Sequence, residues 1–165
     1  MDGRRGVNKL SFHPYFITFI VSMFPVAELR GGLPLGVSLG ANPFKAYVIS
    51  VLGNTAPVLP LLFGLKYLSS KVKKSKFGRV FGAIEKRLDA KKQIIQKYGI
   101  LGIILLVAIP LPFTGAWTGS FVSFFLSIPV KYSFPAIFTG ILLAGIIVLF
   151  ATIGFFNLGK IFSGM

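Results

Sequence analysis

Uncharged apolar segments recur along most of the chain, and they come in two lengths. Residues 46–65 and 135–156 form segments of about 20 residues, which is enough for a helix to cross the hydrocarbon core of a bilayer. The other segments have about half that length, and they lie at 15–24, 35–41, 99–109 and 120–128. The pattern predicts two full transmembrane helices and two pairs of half-length helical pieces.

Stretches rich in proline and glycine separate the two pieces of each pair, at residues 24–34 and 110–119. Both residue types interrupt helices, so each pair is either one interrupted span or a re-entrant hairpin whose tip lies at the break. Three basic residues near the N-terminus favour four full crossings with both termini in the cytoplasm. The short, symmetric pieces favour hairpins, and hairpins are what we expect.

The two halves of the chain share one plan, in which a break between half-length pieces is followed by a proline turn, a lysine and a full span. Residues 42–45 (Asn-Pro-Phe-Lys) correspond to residues 128–131 (Ile-Pro-Val-Lys), and Gly53 corresponds to Gly140. Such self-similarity is typical of duplicated transporter folds, and with hairpins the repeats are inverted. A single membrane domain, residues 1–165, then contains a first repeat, a linker and a second repeat, at 12–68, 69–98 and 99–160.

The long polar stretch of the chain lies between the two halves. Eleven of the eighteen Lys and Arg residues fall between Lys66 and Lys97, which predicts a cytoplasmic loop at 66–98 by the positive-inside rule. From Phe77 onward apolar residues recur at helical spacing. We expect a basic amphipathic helix here, on the membrane surface or packed under the transmembrane helices.

Composition agrees with an all-α integral membrane protein that crosses the cell membrane more than once. Of the 165 residues, 54% are hydrophobic and only 13% are charged, whereas soluble domains have about 25% charged residues. The net charge of +14 is explained by topology, so we expect the lipid bilayer and no nucleic acid as partner. There is no cysteine and only one histidine, His13, so no metal site is expected.

Two charged residues, Glu28 and Arg30, lie in the first break with apolar residues on both sides. An intramembrane charge costs roughly 2.5–3.5 kcal/mol on insertion scales, and it usually marks a transport pathway, a proton relay or a buried ion pair. Glu28 is the one acidic residue in the apolar part of the chain. The first break is therefore the main candidate for a functional site.

The sequences around the two breaks resemble the signature stretches of the small multidrug export protein family. They read Glu-Leu-Arg-Gly-Gly-Leu-Pro at 28–34 and Ala-Ile-Pro-Leu-Pro-Phe-Thr-Gly-Ala-Trp-Thr-Gly at 108–119. The resemblance extends roughly from residue 24 to 150. Phe113 stands where glycine is usual and Gly32 where alanine is usual, and the first difference affects how tightly the second break can turn. The paired breaks also resemble, in architecture alone, DedA-type membrane proteins, which are associated with moving lipid-linked phosphate carriers or lipids.

The break geometry and the resemblance together predict a site for substrate and protons built from both breaks and one polar residue of the first full span. Its candidate members are Glu28, Arg30, Gly31, Gly32, Pro34, Asn54, Pro110, Pro112, Thr114, Gly115, Trp117, Thr118 and Gly119.

Three functions fit these residues. The first is a membrane transporter that exports small molecules or drugs, with Glu28 alternately holding a proton and a cation and Trp117 offering a cation–π contact. The second is a carrier of an anionic lipid phosphate, with Arg30 as the fixed cation and Thr114, Thr118 and the glycine amides as donors. The third is a structural protein without transport, in which Glu28 and Arg30 pair and pin the two breaks together.

The sequence gives no reason to expect an enzyme or a cofactor. It has no paired carboxylates, phosphate-binding loop or nucleophile elbow. One chain of this size encloses little volume, and this is the single ground for expecting a homodimer.

Overall fold

The chain folds entirely into helices in the part that the structure, a computed structural model, describes, which is residues 13–72, 92–110 and 114–162. Side chains are described for residues 13–67, 98–110 and 114–158. In chain order the helices are α1 (Pro14–Met23), α2 (Glu28–Ser38), α3 (Pro43–Thr55), α4 (Val58–Val72), α5 (Lys92–Ala108), α6 (Ala116–Phe125) and α7 (Val130–Phe162). The prediction of an all-α fold is confirmed.

Two stretches are long and apolar enough to cross a membrane. Pro43–Tyr67 has 25 residues with a mean hydropathy of 1.8, and Val130–Leu158 has 29 residues with a mean hydropathy of 2.6. They contain the two predicted full spans and extend both. Pro135 does not begin its helix as the pattern suggested, because α7 starts directly after Pro129 and takes Pro135 into its second turn. A proline so close to a helix start removes only one backbone hydrogen bond.

Helices α1 and α2 fold back on each other as an antiparallel hairpin. Gly32 of α2 faces Ser22 of α1, and Gly36, one turn later, faces Thr18, one turn earlier. A Cβ atom on Gly32 would lie 2.9 Å from the carbonyl oxygen of Thr18 and would overlap the Ser22 hydroxyl. The two glycines therefore let the helix backbones approach more closely than any side chain would allow.

The first break is shorter than predicted, because the chain turns in the four residues Phe24–Ala27 and α2 already begins at Glu28. Arg30, Gly31, Gly32 and Pro34 are thus helical, with Pro34 inside the helix. Glycine and proline lower intrinsic helix stability, but packing of an apolar face contributes more to a helix than propensity does. The second break is also shorter than predicted, because α6 begins at Ala116 and includes Trp117, Thr118 and Gly119.

Gly53 and Gly140, which the sequence pairs as equivalent, make matching contacts. Gly53 of α3 packs against the carbonyl of Phe19 and the side chain of Ser22, both in α1. Gly140 of α7 packs against the carbonyl of Ile104, at 3.0 Å from the position of a Cβ, and against Val107, both in α5. In both halves the full span contacts the helix that precedes the break, at two positions three residues apart. The duplication as a whole stays a prediction.

The buried core lies where the first hairpin meets the second half. Leu29 and Leu33 of α2 are buried together with Ile103 of α5 and with Ile137 and Ile141 of α7. Leucine and isoleucine from three helices thus hold the two breaks at fixed positions.

The ends of the predicted linker at 69–98 continue the neighbouring helices, since α4 extends to Val72 and α5 begins at Lys92. Residues 73–91, with most of the predicted amphipathic helix, lie outside the described residues. The same holds for residues 111–113, which include the candidate site residue Pro112.

The close contact of α3 with α1 requires glycine at position 53, and substitution of Gly53 tests this requirement. In Gly53→Ala the added Cβ would meet the backbone of Phe19, which cannot rotate away, so we expect a loss of roughly 1–3 kcal/mol in the free energy of unfolding. The matched control is Gly102→Ala in α5, where a Cβ meets no atom within 4 Å and the change raises helix propensity. Unfolding of both purified variants in detergent measures the difference, and equal stabilities would contradict this packing.

Candidate functional site

Glu28 joins the two breaks by capping a helix of the other half. Its side chain is buried, with 5% exposed, and its carboxylate accepts hydrogen bonds from the backbone N–H groups of Ala116 and Trp117. These are the first two residues of α6, whose own N-cap residue, Gly115, offers no side-chain cap. A carboxylate at a helix N-terminus satisfies free N–H groups and interacts favourably with the helix dipole.

The backbone on both sides of this contact adopts conformations that L-amino acids avoid. Glu28 has a φ of 48°, and Gly115 has a φ of 154° and a ψ of −157°, a region that is essentially restricted to glycine. A Cβ atom on Gly115 would also overlap the Glu28 carboxylate. Residue 115 therefore has to be glycine for two separate reasons, one conformational and one steric.

Arg30 binds the other side of the second break. Its Nη2 atom donates to the carbonyl oxygen of Ile109 and to the hydroxyl oxygen of Thr114, both at 3.2 Å. The Thr114 hydroxyl in turn donates to the same Ile109 carbonyl at 3.1 Å. Helix α5 ends at Ala108, so the guanidinium lies at the negative end of the α5 dipole, where a cation is favoured.

Trp117 makes the reciprocal contact from the second half to the first. Its indole Nε1–H donates to the carbonyl oxygen of Met23 at 3.2 Å, and Met23 is the last residue of α1. Each break thus supplies hydrogen-bond partners for helix ends of the other. Glu28 and Arg30 also attract each other electrostatically, but both reach across to the second half.

Arg30 lines two cavities and is the one described residue that lines both of them. The first, which we call the cleft, has a volume of about 450 Å³, and the second, the tip cavity, has about 290 Å³. The cleft is lined by Arg30, Pro34, Pro110, Ile147, Val148, Ala151, Thr152, Phe155 and Phe156. The tip cavity is lined by Pro25, Val26, Ala27, Glu28, Arg30, Gly31 and Thr114. The cleft is mostly apolar, whereas the tip cavity contains both charged groups.

The structure brings most of the predicted site residues of the two breaks together. Those that line a cavity or contact Glu28 or Met23 are Glu28, Arg30, Gly31, Pro34, Pro110, Thr114, Gly115 and Trp117. The other described candidates line neither cavity. Gly32 packs against α1, Gly119 packs against Val107 of α5, Asn54 is buried on α3, and Thr118 is half-buried on α6.

The sequence interpretation missed the second wall of the cleft, which comes from the later half of α7. Ile147, Thr152 and Phe155 belong to a segment that is apolar on all sides. Such a helix has no polar face that would identify which side meets the breaks. Thr152 is the one hydroxyl of that wall, and it donates to the Val148 carbonyl of its own helix at 2.7 Å.

No group of three or more His, Cys, Asp or Glu side chains that could hold a metal ion occurs within the described residues. The polar side chains that line the two cavities carry one carboxylate, one guanidinium and two hydroxyls, those of Thr114 and Thr152.

Two long apolar helices, and two helical breaks joined by the side chains of Glu28 and Arg30, indicate an all-α membrane protein. A family model described as "Putative small multi-drug export protein" matches residues 28–147, more than two thirds of the chain. The chain belongs to this family, and the resemblance stated from the two signature stretches is confirmed. No curated protein and no solved structure matches it.

The contact between Glu28 and Gly115 predicts coupling between substitutions at the two positions. Glu28→Ala should lower the free energy of unfolding by about 3 kcal/mol, because two buried N–H groups lose a charged acceptor. Gly115→Ala should cost more in the parent protein than in the Glu28→Ala background, where the steric overlap is absent and only the backbone strain of roughly 1–3 kcal/mol remains.

A double-mutant cycle from unfolding in detergent measures this coupling. Combining Glu28→Ala with Gly102→Ala is the matched control and should give additive effects, since a Cβ at Gly102 contacts nothing. Additive effects for Glu28 and Gly115 as well would show that the carboxylate does not lie against Gly115.

Proposed function

We propose that the protein is a membrane transporter that exports small amphipathic molecules, and that the substrate lies in the cleft with its polar head at Arg30. The observation that carries this proposal is the position of Arg30, which lines both the cleft and the tip cavity. Family membership supports membrane export of small molecules as the activity. A cleft of about 450 Å³ is within the range of roughly 300–1,000 Å³ that is common for small-molecule sites.

The lining of the cleft supports an amphipathic substrate with an acidic head. Pro34, Pro110, Ile147 and Phe156 offer an apolar surface, and Arg30 is the charged group in that lining. A planar guanidinium suits carboxylate and phosphate groups because it can donate two parallel hydrogen bonds to them. Transport of such a molecule would place its chain along α7 and its head between the two breaks.

The contacts of Glu28 give less support to export of a cation. Its carboxylate already accepts hydrogen bonds from Ala116 and Trp117 at the α6 N-terminus, and a cationic substrate would have to compete with both. Arg30 would also repel a positive charge in either cavity. We therefore assign Glu28 a positioning role. By binding the start of α6, it keeps the neighbouring Thr114 within hydrogen-bond distance of Arg30.

A second candidate is a carrier of an anionic lipid phosphate, which the apolar cleft beside Arg30 also favours. In this version the phosphate takes the place of the acidic head and the acyl chain follows the exposed Phe155 toward the bilayer. The two candidates share the site and differ in the substrate, so a transport assay with both kinds of molecule separates them.

We further propose that both hairpins are re-entrant and that each half crosses the membrane once, with the loop at 66–98 in the cytoplasm. Support comes from the antiparallel packing of α1 on α2 and from the length of α1, since its 10 residues span about 15 Å, half of a hydrocarbon core. The breaks would then meet near the middle of the bilayer, which is where duplicated transporters bind substrates.

Transport by reconstituted protein tests the role of Arg30. Arg30→Gln should reduce export of an amphipathic carboxylic acid from proteoliposomes by about tenfold or more, because a charge-assisted hydrogen bond contributes at least about 1.4 kcal/mol. Lys131→Gln, which makes the same charge change at an exposed position outside both cavities, should transport like the parent.

Because Arg30 also caps α5, a second variant is needed that leaves its hydrogen bonds in place. Ala151→Phe fills the α7 side of the cleft and should reduce transport while the protein stays folded. Normal transport by both variants would contradict the proposed site. Movement of a phosphate-bearing phospholipid, with no export of the single-chain acid, would favour the lipid carrier.

Labelling of introduced cysteines tests the topology, since the chain itself contains none. A single cysteine in residues 1–11 should react with a membrane-impermeant maleimide in intact cells, and one in residues 73–91 should react only after permeabilisation. Protection of both positions in intact cells would instead indicate four crossings with a cytoplasmic N-terminus.

A further inference from the structure

The carboxylate of Glu28 holds the contact between the two breaks and also borders a cavity. It accepts hydrogen bonds from the backbone N–H groups of Ala116 and Trp117, and Glu28 is one of the residues that line the tip cavity. Only 5% of the residue is exposed. A buried ionisable group that joins two elements can act as a switch, because a change in its charge changes the contact.

The tip cavity gives this carboxylate a route to water. Its volume of about 290 Å³ has room for several water molecules, and Glu28, Arg30 and Thr114 offer them polar partners. Val26 lines the same cavity and is 90% exposed, so the cavity extends to the surface of the chain. Within a membrane, a non-helical turn such as residues 24–27 occurs only where protein buries it or where it lines a water-filled cavity. The exposure of this turn therefore favours water in the tip cavity.

The backbone at this contact has an unfavourable conformation. The φ of Glu28 is 48°, in the left-handed region that residues with a Cβ atom rarely adopt. Gly115, against which the carboxylate lies, has a φ of 154°. Conformations of this kind persist only where surrounding contacts hold them, and they are common in switch regions. The hydrogen bonds between Glu28 and α6 are contacts of this kind.

Addition of one proton to a carboxylate oxygen of Glu28 weakens the contact in two ways. It removes the negative charge, and with it the charge-assisted hydrogen bonds and the attraction to the positive end of the α6 dipole. It also adds an O–H donor at a place where α6 presents N–H donors. The neutral carboxyl is therefore a poorer cap for α6 than the carboxylate is.

The charge that acts on Glu28, within the part of the chain that the structure describes, is that of Arg30. Helix α6 contains no ionisable side chain. The other helices that pack on α2 carry their described ionisable side chains within their first five residues, and these are Tyr15 of α1, Lys45 and Tyr47 of α3, and Lys131 and Tyr132 of α7. A pH-dependent change at the start of α6 thus reports on Glu28.

We propose that Glu28 binds a proton from the tip cavity and that this proton releases the start of α6 from the first break. Ionised Glu28 holds α6 in place and keeps Thr114 beside Arg30, whereas neutral Glu28 lets the two breaks separate. In the proposed transporter the proton is then the coupling ion, and this role alone rests on the proposed function. Proton binding and the movement of α6 need no substrate and can be tested without one.

Trp117 provides the measurement, because it is the one tryptophan of the chain and both of its N–H groups bind the first half, at Glu28 and at Met23. Full-length protein in detergent is titrated from about pH 9 to about pH 4, a range in which carboxyl groups take up protons. We expect one reversible step, in which tryptophan emission shifts to longer wavelength and acrylamide quenching rises as the pH falls, because release of α6 exposes the indole.

Three variants complete the test. Glu28→Gln removes the proton-binding group and keeps an acceptor oxygen, so emission and quenching should no longer change with pH. Arg30→Gln removes the positive charge beside the carboxylate, so the midpoint of the step should move to higher pH by about one unit or more. His13→Gln is the matched control and should titrate like the parent, since it removes the one histidine, which precedes α1 at the end away from the break.

Each outcome decides between the proton site and the proposed export. No step in the parent, or the same step in Glu28→Gln, overturns the proton site and leaves the proposed export untouched. If Glu28→Gln does not fold, Arg30→Gln decides, since an unchanged midpoint would exclude Glu28 as the titrating group. The expected steps in a protein that moves neither the amphipathic acid nor the phospholipid would support the proton site and contradict the proposed function.

Discussion

The helix ends at the two breaks are the central physical problem of this structure, because each half of the chain supplies the hydrogen-bond partners for helix ends of the other. Each helix end leaves backbone N–H or C=O groups without partners, and in apolar surroundings each such group is costly. Glu28 satisfies the start of α6, Arg30 satisfies the end of α5, and Trp117 satisfies the end of α1. Every one of these partners comes from the opposite half, so neither half satisfies its own helix ends at the break.

Because Glu28 and Arg30 bind helix ends of the other half, two charges are tolerated in an apolar chain. Glu28 and Arg30 each lie at the helix end whose dipole favours their sign, so burial is offset by more than their mutual attraction. The same arrangement orients Arg30 toward the cleft and the tip cavity. One residue thus both binds the second break and lines the two cavities, so the predicted structural pairing and the proposed transport site are compatible descriptions of Arg30.

The sequence predicted the features that depend on segment length and charge, and missed those that depend on packing. The two long spans and the short helix α1 followed from uncharged segments, and the second break begins after Ala108, one residue earlier than predicted. The first break was predicted to be too long, because intrinsic propensity argues against helix at Gly32 and Pro34 whereas contact with α1 stabilises it. The α7 wall was missed, since a helix that is apolar all round does not indicate which face meets the cleft.

The exchanged caps also have a consequence for synthesis of the chain. Arg30 precedes its carbonyl partner by 79 residues, and Met23 precedes the indole that binds it by 94 residues. At about 5–20 residues per second, the first hairpin exists for roughly 4–20 seconds before its partners emerge from the ribosome. During that interval Glu28 and Arg30 lack the helix ends that they bind in the folded chain. The contacts that join the two halves therefore form only after most of the chain has been synthesised.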